Sequence, residues 1–306
     1  MIHYLLRRLL VSLLLIAFVS LISFVLVFAS GDPAARLAGE AGTAADAANL
    51  ASRHGFDQPV FMQYLKWLAG ILQGRFGESL YFHRPVGELL VQHFALTARL
   101  GSMAMLLALA VALPLGIAAG RWKGRWIDKL ALTLASIGQA MPPFCLAFLL
   151  IIVFSVQRTW LPASGFDSWR HWLMPSVTLA VFAMPAIIRL MRAEMDSVLR
   201  SDYIRTARAM GLSERQVLLK YALRNALRPT VALAAAQMGA LLAGSVVVET
   251  VFAINGAGQL AWISILRGDF PTIQALILVF SLFYIVLTLC ADIANGWLDP
   301  RVRTQG

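Results

Sequence analysis

Six apolar runs, at Leu9–Ala29, Leu100–Ala119, Leu130–Val156, Met174–Leu190, Val231–Phe252 and Thr272–Ile293, leave this chain few ways to fold. Each is long enough to cross a hydrocarbon layer, which takes about 20 residues, although the fourth is short. A segment inside that layer must satisfy its own backbone, so each run is expected to be a helix. Charged residues make up 14% of the chain, well below the roughly 25% of soluble domains. The expected fold is an all-α polytopic membrane protein with six transmembrane helices. Pro142 and Pro143 in the third run, and Pro175 and Pro185 in the fourth, imply kinks rather than breaks. Arg7 and Arg8 before the first run imitate a signal peptide. That run exceeds an h-region of about 7–15 residues and shows no small-x-small cleavage site, so it is read as a span.

The basic residues set the orientation. With the N-terminus inside, seventeen Lys and Arg fall in inner segments and three (Arg158, Arg170, Arg267) in the two short outer loops. The positive-inside rule then places both termini in the cytoplasm. Residues 1–99 hold the first span and a long outer loop, 100–293 the membrane core with a polar inner loop at 191–229, and 294–306 an inner tail. The net charge of +10 is accounted for by topology and headgroup contact, without a nucleic-acid partner. In the outer loop Ala34–Ala51 has weak helical character. Tyr64, Trp67, Leu68 and Ile71 share one helical face suited to the outer leaflet. Trp160, Trp169 and Trp172 read as interface anchors.

The inner loop carries the clearest local signals. Gly211 suits a helix C′ position, where a positive φ carries no Cβ penalty. Ser213 and Gln216 form a capping-box pattern that starts a second helix, and Pro229 closes the segment. Tyr203, Ala207 and Met210 give the first helix an exposed apolar stripe suited to a partner's groove. In the second, Val217, Leu218, Tyr221 and Ala222 cluster. Lys220, Arg224 and Arg228 form a basic row that suits either headgroups or a docked protein.

Catalytic patterns are absent from the sequence. It has no Gly-Lys dipeptide, hence no Walker A loop, and no His-Glu-x-x-His or Gly-x-Ser-x-Gly. Its five histidines lack metal-ligand spacing, and Cys145 and Cys290 lie inside apolar runs, away from any disulfide framework. Gly116 and Gly120, four apart, permit close helix contact. Gln139, Gln237 and Glu249 are the polar candidates for a pathway or gate, since ionisable groups inside spans are costly. With no chain of Asp, Glu and His across the membrane, the energy source is expected to be external. The alternatives are an autonomous secondary transporter or channel and, less supported, an intramembrane enzyme.

The inner loop resembles the EAA loop of ABC-importer permeases. Ala207 and Gly211 stand at its last alanine and its glycine, and Tyr221 and Leu223 at its Ile and Leu. Arg205 replaces the glutamate and Arg224 the proline, as in the first permease of the oligopeptide/dipeptide/nickel group. Gly31-Asp32-Pro33, Gly55-Phe56-Asp57-Gln58-Pro59, Gln63-Tyr64, Gly74-Arg75-Phe76-Gly77-Glu78-Ser79, Leu161-Pro162-Ala163-Ser164-Gly165, Glu249-Thr250-Val251-Phe252, Gly256-Ala257-Gly258 and Asp299-Pro300-Arg301 extend the likeness in order along the chain. Arg75 stands where that group has an acid, and Asn255 where it has a proline.

The resemblance implies a multi-pass subunit of the bacterial inner membrane with no cofactor of its own. Its partners would be a second homologous permease, two cytoplasmic ATPases carrying ATP and Mg, and a periplasmic substrate-binding protein. Tyr203, Ala207, Met210 and Gly211 would then form the coupling element. Relatives with this layout carry peptides, glutathione, nickel chelates or opines.

Overall fold

The computed structural model describes residues 2–29, 43–54 and 57–298. Gly31-Asp32-Pro33, Gly55-Phe56 and Asp299-Pro300-Arg301 lie outside the described residues. Among the described residues eleven helices follow in order: α1 Ile2–Ala29, α2 Ala44–His54, α3 Val60–Leu72, α4 Val86–Arg121, α5 Trp126–Ala140, α6 Pro143–Gln157, α7 Trp169–Leu199, α8 Asp202–Ala209, α9 Glu214–Val251, α10 Ala257–Arg267 and α11 Phe270–Leu298. The all-α expectation holds among the described residues.

Among the described residues four helices (α4, α7, α9 and α11) are long and apolar enough to span, and α5 with α6 makes a fifth span if the bent pair crosses once. The first expected run, Leu9–Ala29, falls within α1, a single helix of 28 residues. The third run is not one kinked helix, as expected, but two helices bent by 98°. Two consecutive prolines explain the break. Each forces the residue before it out of the helical region, so Met141 (ψ 121°) and Pro142 (ψ 138°) are both extended. Pro143 then sits at the first turn of α6, where its missing N–H is harmless.

Pro229 does not close the inner loop either. It lies inside α9, a continuous helix of 38 residues that joins the second inner-loop helix to the fifth span. Side chains take up nearby carbonyls: Asn225 donates to the Tyr221 oxygen and Thr230 to that of Ala226. The carbonyl that Pro229 deprives of its usual donor is that of Asn225, one turn back, and spanning helices tolerate such a loss.

The chain forms two compact units. In the one built on Leu6–Leu96 and Asn255–Phe283, a core joins Val86, Leu89 and Leu90 to Leu260 and Leu276. Asp269, fully buried after α10, accepts hydrogen bonds from Ser79 (2.5 Å), the Leu80 N–H (3.0 Å) and Thr272 (2.7 Å). Tyr64 and Trp67 of α3 pack on Phe24 of α1, and Tyr64 shares a hydrogen bond with Ser20 at 2.8 Å. The apolar face expected on the outer leaflet is thus turned toward α1.

The other unit is built on Thr97–Ile254. Here α4 and α7 approach closely at Gly116 and Gly120. A Cβ at either would stand 2.7 Å from the Cβ of Met191 or Met195. Trp172, expected as an interface anchor, is instead buried beneath Arg99, while Trp160 and Trp169 are exposed as expected.

Candidate functional site: the Gly211 elbow

Ser201, extended at ψ 153°, precedes α8, and the Arg205 N–H reaches back to its carbonyl. At the other end Gly211 has φ 79°. The Leu212 N–H donates to the Ala207 carbonyl (3.3 Å) and the Gly211 N–H to that of Arg208 (3.0 Å). These two bonds are the Schellman pattern, which a glycine at C′ completes without strain. Ser213 and Gln216 then form the expected capping box, each side chain serving the other's backbone N–H. The elbow is therefore specified by three local residues, Gly211, Ser213 and Gln216.

Its faces differ from expectation at one position. Ile204 and Ala207 pack inward on a cluster with Met191, Met195, Val217 and Ala226. Ala207 is only 5% exposed, whereas Tyr203 and Met210 are 43% and 76% exposed. The expected exposed stripe is thus split: Ala207 seats the helix on its own chain, and Tyr203 and Met210 are what α8 offers outward. Asn225 of α9 donates to the Tyr203 hydroxyl at 2.7 Å. Val217, Leu218, Tyr221 and Ala222 cluster as expected.

Ion pairs tie the elbow and the α4–α5 turn to neighbouring helices. Glu214 accepts from Arg208 at 2.8 Å, with Arg121 4.0 Å away. Asp196 on α7 receives Lys123 at 2.6 Å and Arg200 at 2.9 Å. Arg192 grips Asp128 through two nitrogens, while the Gly124 N–H donates to the same carboxylate. Between these pairs opens a cleft of about 350 Å³ lined by Arg121, Lys123, Asp196, Arg208 and Glu214. In the sequence these cations read only as orientation markers. Their acidic partners in nearby polar segments were the available clue.

The three pathway candidates do not converge. Glu249 is fully buried and accepts from Thr97 at 2.7 Å and Ser245 at 2.8 Å, an arrangement that satisfies a carboxylate inside the bundle. Gln237 is half-buried on α9. Gln139 is exposed and accepts from Arg189 at 2.6 Å. Among the described residues no group of three or more His, Cys, Asp or Glu could hold a metal ion.

The chain is 40% identical over 304 residues to the glutathione transport system permease protein GsiC of Escherichia coli (strain K12), with 99% of each chain covered. Identity and coverage are the same for the protein of that name from Salmonella typhimurium (strain LT2). Among solved structures, the fold matches the MetNI methionine ABC transporter in inward-facing conformations. The match has a TM-score of 0.56 and 22% identity, covering 69% of this chain and 96% of that one. Residues 1–100 match the N-terminal family of binding-protein-dependent transport system membrane components. Residues 112–304 match the companion family, so the chain belongs to the binding-protein-dependent transport system inner membrane components.

Proposed function

We propose that this permease imports short, carboxylate-bearing peptides of the glutathione type across the inner membrane. It does so beside a second homologous permease, two cytoplasmic ATPases and a periplasmic binding protein. The 40% identity to glutathione permeases along the whole chain supports the cargo class. The observation that carries the mechanism is the continuity of α9. An elbow that met its span at a proline hinge would lose motion there. A 38-residue helix rooted in the elbow carries a push at Gly211 roughly 57 Å along its axis, at 1.5 Å per residue.

In this account ATP-driven closure of the ATPases shifts α8, which presents Tyr203 and Met210 to them. The Schellman turn and the inward packing of Ile204 and Ala207 make α8 and the start of α9 move together. The path then switches between outward and inward access by rigid helix displacement. Gln237 and Glu249 act as packing and bracing groups within the moving bundle.

The test is ATP-dependent uptake of labelled glutathione and tripeptides into proteoliposomes holding the assembled importer, compared with this chain alone. Uptake that needs the ATPases and the binding protein is expected. Uptake by the isolated chain would instead make it an autonomous transporter.

A further inference from the structure

Arg189 presents a charge that no carboxylate among the described residues neutralises. It lies on α7 one turn before Arg192, and the two side chains point to different partners. Arg192 reaches Asp128 near the start of α5, whereas Arg189 reaches Gln139 near its end. At 1.5 Å per residue, Gln139 stands roughly 16 Å along α5 from Asp128. The charged ring of Lys123, Asp128, Arg192 and Asp196 marks one border of the apolar zone. The Arg189 guanidinium is thereby drawn about halfway into a hydrocarbon layer of roughly 30 Å.

A charged arginine at that depth is too costly to face lipid tails, and such residues line water or protein. Arg189 is nonetheless exposed within this chain, on the stripe of α7 that also carries Phe182 seven residues earlier. The lipid-suited surface of α5 is a different one, formed by exposed Leu130, Leu134 and Ile137. Among the described residues no carboxylate lies within ion-pair distance of Arg189. The Gln139 oxygen and the open carbonyl end of α5 favour a cation without cancelling it. One guanidinium nitrogen, Nη2, is committed to Gln139, which leaves much of the fork free. That geometry matches a carboxylate taken through two parallel N–H bonds.

We infer that Arg189, braced by Gln139, is a carboxylate-binding station on the translocation path, taking the free carboxylate of a passing peptide. The inference rests on the importer function proposed above. It adds that the membrane path itself, and not the binding protein alone, selects for a negative group.

The assembled importer in proteoliposomes tests this, with radiolabelled glutathione and a tripeptide mixture bearing free C-termini as probes. Arg189→Gln removes the charge. Gln139→Glu leaves the arginine but neutralises it in place, and a merely structural role would tolerate or favour that closer pair. Both are expected to lower uptake about tenfold or more, the worth of a charge-assisted hydrogen bond. Arg189→Lys, which keeps the charge and loses the fork, recovers only part of the uptake lost in Arg189→Gln, and all three keep the second permease and the ATPases on co-purification. Unchanged uptake in Arg189→Gln or Gln139→Glu would overturn the inference. So would loss of the second permease from Arg189→Gln, which would make Arg189 half of a subunit ion pair. A wild-type importer without ATP-driven uptake of these probes would instead overturn the proposed function.

Discussion

Asn225 donates its side-chain amide to the hydroxyl of Tyr203 across 2.7 Å, pinning the exposed edge of α8 to the root of α9. The bond lies one turn before the buried contact of Ala207 on neighbouring parts of the helix surface, so α8 is held at two points along its length. A helix of eight residues is too short to be stable alone in water. These contacts are what let it act as a rigid lever.

Tyr203→Phe removes that hydrogen bond and keeps the ring. The expected loss is about 0.5–1.5 kcal/mol of stability, read by thermal unfolding of the detergent-solubilised protein. In the assembled importer, transport per ATP hydrolysed should fall while ATPase binding persists.

At Gly211 the space and the backbone make separate demands. A Cβ there would meet nothing within 4 Å, yet φ is 79°. Gly211→Val should cost about 1–2 kcal/mol through the left-handed backbone alone. It should also reduce both ATPase co-purification and uptake. Asn tolerates this region, so Gly211→Asn should stay close to wild type in both assays.

Ala207 and Met210 should separate packing from docking. Ala207→Leu overpacks the cluster with Met195 and Val217 and should destabilise by about 1–3 kcal/mol. Met210→Ala, at an exposed site, should leave the melting temperature unchanged but weaken ATPase association. Reversed effects would exchange the two assigned roles.

The Arg192–Asp128 pair is largely withdrawn from solvent, with 23% and 5% of the two side chains exposed. Arg192→Met strands the Asp128 carboxylate and should destabilise by about 3 kcal/mol or more. The exposed Arg84–Glu88 pair provides the contrast, and Arg84→Ala should change stability by less than about 0.5 kcal/mol. High salt should weaken the second pair far more than the first.

Sequence carried the elbow because its signals are local. A glycine at C′ and a Ser–Gln box act within a few residues, and both appear where expected. What the sequence concealed depends on distance or competition. Tyr203 and Asn225 are 22 residues apart and Arg192 and Asp128 are 64 apart, beyond any periodic pattern. The apolar run at Leu130–Val156 hid a 98° break because hydropathy does not register that two adjacent prolines extend two successive residues. Pro229 misleads in the other direction, since a proline inside a long spanning helix removes one hydrogen bond without ending the helix. Ala207 was placed on the wrong face because, on so short a helix, alanine suits both a groove outside and a core inside.

The central claim is that α8 is the joint through which ATPase motion enters α9. The direct measurement is cross-linking from Met210→Cys, with Cys145 and Cys290 replaced by serine, in the assembled importer under turnover. The account predicts a covalent adduct between position 210 and an ATPase subunit, and loss of peptide uptake once it forms. A complex that imports peptides at full rate with no adduct at this position, or with the adduct fully formed, would contradict it.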